Sequence, residues 1–434
     1  MTDSFASALS PSAQSHEVAA ASRKLRILFV VLNFSPEPTG TGKFTGEFAR
    51  HLRDRGHDVR VVSTPPYYPW WKVPKPYALN RFQTEDLDGI RILRCPVYVP
   101  AHPTGLRRIL HLLSAGLSFL PASFWGIRGP VDLVFNVQPT LTTSLTAAIV
   151  ARLHRSPLWL HVQDLEISAA QQLGMIPFGL RWLSGRVERL VHSKCEGIST
   201  ITNAMAGQLL LRGARNRPEI FPNWVDTDLI KPQTDSSYRR ELGISDSTVV
   251  ALYSGNMGEK QGLEIILQSA KRLSGQNIQF ILAGNGASRE RLEAEASGMA
   301  NVRFLPLQPA ERMSDFLALG DIHLVPQKAG FGDCVMPSKM TAILSAGRPC
   351  VATAQPDDEL ATIADQCGIS VLPGDSAGFA NGIHLLAQDT PLRESLGRAA
   401  RAYALEHLSS HAILGRMEEY ALQIAGEPNS RFEE

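Results

Sequence analysis

The chain is poor in cysteine and has no CxxC spacing: Cys95, Cys195, Cys334, Cys350 and Cys367 lie scattered over 434 residues. An odd, dispersed set of thiols offers no metal framework and suits a reducing compartment. Charge of one sign is also missing, since the net charge is +1. That excludes a nucleic-acid binder relying on bulk electrostatics. A secretory signal needs a basic start followed by an apolar run. Met1–Ser22 has neither; it is rich in Ala and Ser, and residues 1–23 read as a disordered tail. No long apolar run is clean enough to span a bilayer. The most apolar stretch, Gly105–Arg128, is broken by His111, Ser114, Ser118 and Pro121. The expectation is a cytoplasmic protein.

What is present fits a globular α/β enzyme of two domains, with 44% hydrophobic and 20% charged residues. Leu25–Asn33 (LRILFVVLN) is a continuous apolar run, the kind a parallel sheet buries on both faces. The turn SPEPTGTG opens a helix with Phe44, Phe48 and Leu52 on one side, and Asp58–Ser63 is the next strand. Gly40-Thr41-Gly42 is not GxGxxG, so a dinucleotide site is not indicated. Further strand-like runs are Asp132–Val137, Leu158–Val162 and Gly197–Ile201. After Asn223-Trp224-Val225-Asp226 the alternation restarts with Thr248–Ser254, Ile278–Ala283, Val302–Leu305, Ile322–Val325, Cys350–Ala352 and Ile369–Leu372. Two complete βα halves joined near residue 226 predict two Rossmann-like domains facing across a cleft. The boundaries read as 24–226, 227–408 and a C-terminal segment 409–434 whose helix, His411–Ile424, packs back on the first domain.

Two segments admit two readings each. Pro65–Pro76 (PPYYPWWKVPKP) is too proline-rich for a long helix. Tyr67, Tyr68, Trp70 and Trp71 either pack locally or present flat faces to a sugar or a membrane interface. Gly105–Arg128, with Arg107 and Arg108 at its start, is either a buried helix or a basic-ended surface helix that touches anionic lipid.

The stretch Phe331–Thr353 (FGDCVMPSKMTAILSAGRPCVAT) reads as a loop, a helix entered at Pro337-Ser338-Lys339, a Gly347 stop and a buried strand. Proline suits the first helical turn, where its missing N–H has no partner to lose. The following amides and the helix dipole make a ready anion site, to which Lys339 adds a full charge.

Six motifs in order, SPEPTGTGKFTGEFARHL, HVQDLE, FPNWVD, YSGNMGEKQGLE, LAGNG and MPSKMTAILSAGRP, carry a family resemblance over roughly residues 24 to 425. The chain resembles retaining glycosyltransferases of the GT-B fold, and among them the colanic-acid-type exopolysaccharide transferases that act at the inner membrane. The resemblance implies a nucleotide-sugar donor, GDP- or UDP-linked and by this likeness GDP-fucose, held mainly by the C-terminal domain. The acceptor it implies is an undecaprenyl-diphosphate-linked saccharide at the N-terminal domain, with the protein peripheral at the inner face of the cytoplasmic membrane.

A departing nucleoside diphosphate needs positive charge and aligned N–H donors. Lys260 and Lys339 are the basic candidates. Gly255, Asn256, Gly284, Asn285, Gly286, Pro337, Ser338 and the amides near Met340 complete the donor side, with Gly40, Thr41 and Gly42 opposite. His161 and Asp164 are the catalytic candidates of the N-terminal domain. Glu166 and the aromatics Tyr67, Tyr68, Trp70 and Trp71 are assigned to the acceptor. With no DxD-like pair or histidine cluster on the loops, neither a metal nor another cofactor is expected, the nucleotide-sugar being a substrate. The chain departs from the family at several positions. Its usual pair of glutamates falls on Cys334 and Ala342, leaving Asp333 as a neighbouring carboxylate. Its phosphate-turn Arg is Asn256, Lys260 sits one place early, and its usual His-Asp is Gln163-Asp164. A nucleotide-sugar 2-epimerase and a non-catalytic nucleotide-sugar-binding partner are the competing readings.

Overall fold

The structure is a computed structural model that describes residues 23–38, 40–101, 105–123, 129–164, 178–329 and 338–426. The tail Met1–Ser22 and the site candidates Glu166 and Pro337 lie outside these residues, as do Asp333 and Cys334.

Among the described residues the first domain has eight strands: β1 (Arg26–Val30), β2 (Asp58–Ser63), β3 (Gln83–Leu87), β4 (Ile90–Arg94), β5 (Leu133–Gln138), β6 (Leu158–Val162), β7 (Gly197–Thr200) and β8 (Glu219–Ile220). Their order is β3-β4-β2-β1-β5-β6-β7-β8, parallel except for the β3–β4 pair. Central β1 pairs with β2 and β5, Phe29 lying opposite both Val61 and Phe135. The β3–β4 hairpin is a feature the apolar-run reading passes over. Its first strand, QTEDL, is a polar edge strand that buries no continuous face.

Among the described residues, helices α1 (Gly40–Asp54), α2 (Gly105–Pro121), α3 (Leu141–His154), α4 (Phe178–Lys194) and α5 (Asn203–Leu211) pack on this sheet. Ala115 and Phe119 of α2, Ala147 and Val150 of α3 and Val191 of α4 share one core with alternate residues of the strands. Phe44, Phe48 and Leu52 of α1 form the core of the opposite face.

The second domain has, among the described residues, six parallel strands: β9 (Val249–Ser254), β10 (Ile278–Ala283), β11 (Val302–Leu305), β12 (Ile322–Val325), β13 (Cys350–Thr353) and β14 (Gly368–Val371). Their order, β11-β10-β9-β12-β13-β14, reverses between β9 and β12. Open α/β sheets bind ligands at the carboxyl ends of the strands beside such a reversal. Around it lie α6 (Ser237–Leu242), α7 (Glu264–Arg272), α8 (Arg289–Glu295), α9 (Met313–Leu319), α10 (Ser338–Ser345), α11 (Glu359–Cys367), α12 (Ser376–Gln388) and α13 (Thr390–His407). The last helix, α14 (Ser410–Gly426), returns to the first domain and places Met417, Ala421 and Ile424 in the core beside α1. The two passages of the chain between domains are tied together, Val225 N–H donating to Leu408 O and Ser410 N–H to Val225 O, each at 2.9 Å.

Candidate active site

Three segments meet at the carboxyl edge of the second sheet: the turn after β9, the turn after β10, and the start of α10. The first two touch through their backbones. Gly255 N–H donates to Ala283 O (3.0 Å) and Met257 N–H to Asn285 O (2.8 Å). Gly284 has φ +141°, and a Cβ there would sit 1.9 Å from the Gly255 carbonyl oxygen. Gly286 has φ +155°, and its Cβ would meet Met257 O at 2.5 Å. Only glycine permits both the conformation and the approach. Asn256 and Asn285 are exposed at the tips of these turns.

The third segment contributes charge. Lys339 is the second residue of α10, where backbone N–H groups have no partner within the helix. Its Nζ lies 3.9 Å from the centre of the Tyr253 ring and 3.3 Å from where a Gly255 Cβ would stand. That atom is buried and has no hydrogen-bond partner among the described residues. Desolvation pushes the Lys339 pKa down to about 7. The ring face of Tyr253 offsets part of the cost of an ammonium here. A cation with no hydrogen-bond partner among the described residues, beside glycine turns and a helix start, is arranged for an anion. Ser338 opens α10, whereas the Met340 side chain is fully buried in the core, which leaves only its amide for a ligand. Tyr253 is the residue the motif reading missed; its place directly before the glycine turn is the signal.

The first domain has its own cluster at the end of β1. Glu37 is 4% exposed, and its Oε1 accepts from Tyr67 N–H and Tyr68 N–H (3.0 Å each) and from Asn33 Nδ2 (3.2 Å). Its Oε2 has no hydrogen-bond partner among the described residues and lies 2.6 Å from where a Gly42 Cβ would be. Burial outweighs the three donors and pushes the Glu37 pKa up to about 7. Buried Arg94 braces the same corner, donating from Nη1 to Thr64 O (3.0 Å) and from Nη2 to Ser35 O. Glu37 and Arg94 thus clamp the aromatic loop against the β1–α1 loop. Gly40, Thr41 and Gly42 form the first turn of α1 rather than a separate turn, and Gly40 has φ +66° beneath the Tyr68 ring.

The comparisons with known proteins agree with this geometry. The chain matches the Glycosyl transferase 4-like domain over residues 39–224 and the Glycosyl transferases group 1 domain over residues 248–389. It is 36% identical over 403 residues to the colanic acid biosynthesis glycosyl transferase WcaI of Escherichia coli K12, covering 90% of this chain and 98% of that one. This chain belongs to the glycosyltransferases. Sucrose-phosphate synthase from Thermosynechococcus elongatus shares its fold at a TM-score of 0.71 and 16% identity, over 93% of this chain and 99% of that one. Anabaena HepE, solved with UDP and glucose, does so at 0.66 and 18%, over 91% and 99%. The fold is therefore GT-B, two Rossmann-like domains facing across a cleft, and the protein is an enzyme of the hexosyltransferase class.

Within this glycosyltransferase the other expected residues are placed unevenly. Lys260 is exposed on a short 3-10 turn, Glu259–Gln261. Asp164 is half-buried just beyond β6 and is the last described residue before 178. His161 corrects an expectation. It is a strand residue, 2% exposed, with Nδ1 2.9 Å from Ser199 Oγ, and its pKa is pushed down to about 3 by burial alone. A neutral imidazole held inside the sheet is not placed to exchange protons with an acceptor. Tyr67 is a second correction. It is 4% exposed, its ring packs on His111 at 4.8 Å, and its hydroxyl lies 3.0 Å from His111 Nε2. His111 Nδ1 faces Tyr98 O at 2.6 Å, so Nδ1 is the donor and Nε2 accepts from Tyr67. Trp71 is half-buried against the same pair. Tyr68 and Trp70 are the aromatics that face outward, 40% and 67% exposed. Among the described residues no group of three or more His, Cys, Asp or Glu is placed to hold a metal ion.

Proposed function

We propose that this glycosyltransferase moves a sugar, with retention, from a GDP- or UDP-sugar to a lipid-linked saccharide during exopolysaccharide synthesis. The acceptor lipid is undecaprenyl diphosphate, and the site of action is the inner face of the cytoplasmic membrane. GDP-fucose is the donor that the colanic-acid likeness favours. The observation that carries the donor half is the buried Lys339 Nζ at the start of α10, beside Gly255 and without a hydrogen-bond partner among the described residues. HepE, which shares the fold, was solved with UDP, and WcaI bears a name from colanic acid biosynthesis.

In this reading the second domain, residues 227–408, holds the donor diphosphate between Lys339, the free amides of α10 and the two glycine turns. The first domain, residues 24–226, holds the acceptor, with Asp164 and Glu166 at its hydroxyls and Trp70 and Tyr68 at its sugar or lipid face. The acceptor hydroxyl attacks the anomeric carbon from the face the diphosphate leaves. The C–O bond to phosphate breaks as the new one forms, and a phosphate oxygen takes the hydroxyl proton. The protein's share is positioning, electrostatic support of the leaving group and exclusion of water. No metal is assigned a role. Membership of the glycosyltransferases disfavours the epimerase and the non-catalytic binding partner.

Thermal unfolding with GDP, UDP and ADP, each at the same concentration, tests the donor half. A nucleotide at about 100 times its Kd stabilises by about 2.7 kcal/mol. A shift with GDP or UDP that disappears in Lys339→Met supports the reading. No shift with any nucleotide, or an unchanged shift in the variant, overturns it.

A further inference from the structure

Three neighbouring helices cover one face of the first sheet, and their outer sides carry aliphatic residues where a water-facing layer carries charge. On α2, Leu106, Leu110, Leu113 and Leu117 recur at helical spacing opposite the buried Ala115 and Phe119. Leu106 is 70% and Leu117 69% exposed. Beside α2, α3 continues the surface with Ile149 and Leu153, the latter 56% exposed. Next to α3, α4 adds Trp182, 59% exposed, with the Arg186 guanidinium 4.1 Å from its ring centre. Scattered apolar residues on a surface are ordinary; a stripe continued over three adjacent helices is not.

Charge on this layer is one-sided. Neither α2 nor α3 contains an acidic residue, and the one acid of α4, Glu188, is buried with Arg212 Nη1 3.4 Å away. Arg107, Arg108, Arg152, Arg186 and Arg189 are exposed on the same three helices. The chain as a whole carries only +1, so the bias is local. No described helix is long and apolar enough to cross a membrane. Leucine and tryptophan with arginine on the same helices fit the interface of an anionic bilayer, where apolar side chains enter the acyl boundary and guanidiniums meet phosphate.

We propose that the outer face of α2, α3 and α4 is a docking surface for an anionic lipid bilayer, and that α2 carries the aromatic loop to the same interface. The joint is His111, which leaves α2 to bond Tyr67 and Tyr98 while Trp71 packs on its ring at 5.3 Å. That linkage ties the loop that bears exposed Trp70 to α2. The docking surface deepens the lipid-linked acceptor reading given above, and its test reads vesicle binding without sugar transfer, so each can fail alone.

The experiment is sedimentation of the full chain with phosphatidylglycerol vesicles and with phosphatidylcholine vesicles. Binding to the anionic vesicles is expected, at least tenfold stronger than to the neutral ones. It should weaken as ionic strength rises from about 0.05 to about 0.5 M, because the Debye length shrinks. Leu106→Glu with Leu117→Glu should reduce it at least tenfold, and Arg107→Glu with Arg108→Glu should remove most of the salt dependence. Both pairs are exposed, so the melting temperature should stay within about 2 °C of the parent. No binding to either vesicle, equal binding to both, or undiminished binding by the leucine variant overturns the proposal. A concentration-dependent dimer in sedimentation velocity that the leucine variant dissociates also overturns it, by assigning the face to a second copy of the chain.

Discussion

Lys339 Nζ is buried over the Tyr253 ring with no hydrogen-bond partner among the described residues, and its pH behaviour follows. An unfolded lysine titrates near 10.4, whereas here the pKa is about 7. Between those values the native state binds fewer protons, so its stability rises with pH, and the destabilisation is fully present below pH 7. Lys339→Met should therefore melt at or above the parent near neutral pH when no nucleotide is bound. A diphosphate beside Nζ reverses the preference by favouring the ammonium. At pH 8, GDP or UDP binding should take up close to one proton, measured by titration calorimetry in buffers of different ionisation enthalpy. The same titration on Lys339→Met should show no uptake and at least tenfold weaker binding. Glu37 titrates in the opposite sense. Its pKa is raised from 4.5 to about 7, so the stability it contributes is complete below 4.5 and is lost as pH rises through 7. Glu37→Gln keeps an acceptor for Tyr67 N–H and Tyr68 N–H without the charge. Its melting temperature should gain on the parent from pH 4.5 to 7 and hold that gain above pH 8; parallel profiles would refute the assignment.

At the scale of elements, the donor side depends on two turns in backbone contact. Gly284→Ala forces a Cβ to within 1.9 Å of the Gly255 oxygen unless the turns separate. The expected cost is about 1–3 kcal/mol in chemical denaturation, with nucleotide binding lost. Gly275→Ala, where nothing lies within 4 Å of the added carbon, should leave both unchanged. These turns were legible in the sequence because buried parallel strands are apolar runs, and the residues after them stand at the ligand edge whatever the packing. The same logic located α10 from Pro337, Ser338 and Lys339. It failed for the β3–β4 hairpin, whose only local sign is the Asp88-Gly89 turn, with Asp88 at φ 55°. It also left the aromatic loop undivided. Tyr67 goes in and Trp70 goes out because Tyr67 finds His111, 44 residues away, and no local pattern encodes that partner. His161 misled for a related reason: a polar residue at a strand's end looks like cleft lining, yet this one is buried on the sheet face beside its cross-strand neighbour Ser199.

The whole molecule is joined by its last helix. Although α14 follows the second domain, it buries Ile413, Met417 and Ile424 in the first, and Glu418 anchors it there. Glu418 is 7% exposed at its side chain and meets His51 Nε2 at 3.0 Å, Arg55 Nε at 3.0 Å and His57 Nε2 at 3.2 Å. His57 Nδ1 accepts from Leu25 N–H, which fixes Nε2–H as the donor towards Glu418. Desolvation raises the Glu418 pKa, but His57, His51 and Arg55 together lower it further, leaving the carboxyl below its usual value. Its stabilisation is thus present above pH 4.5 and lost as pH falls through the lowered native pKa. Glu418→Ala leaves three donors facing an apolar helix and should destabilise the first domain by about 1–3 kcal/mol at pH 7. The three segments around Lys339 lie in the second domain, so the Kd for GDP or UDP should change by less than about twofold, since distant sites act independently. Calorimetric scans of the variant with and without nucleotide separate the two effects. A first-domain transition lowered on its own, with an intact nucleotide shift, is the expected pattern. Equal loss of both would mean that α14 holds the cleft itself in register, and that the donor site depends on the first domain even when no acceptor is bound.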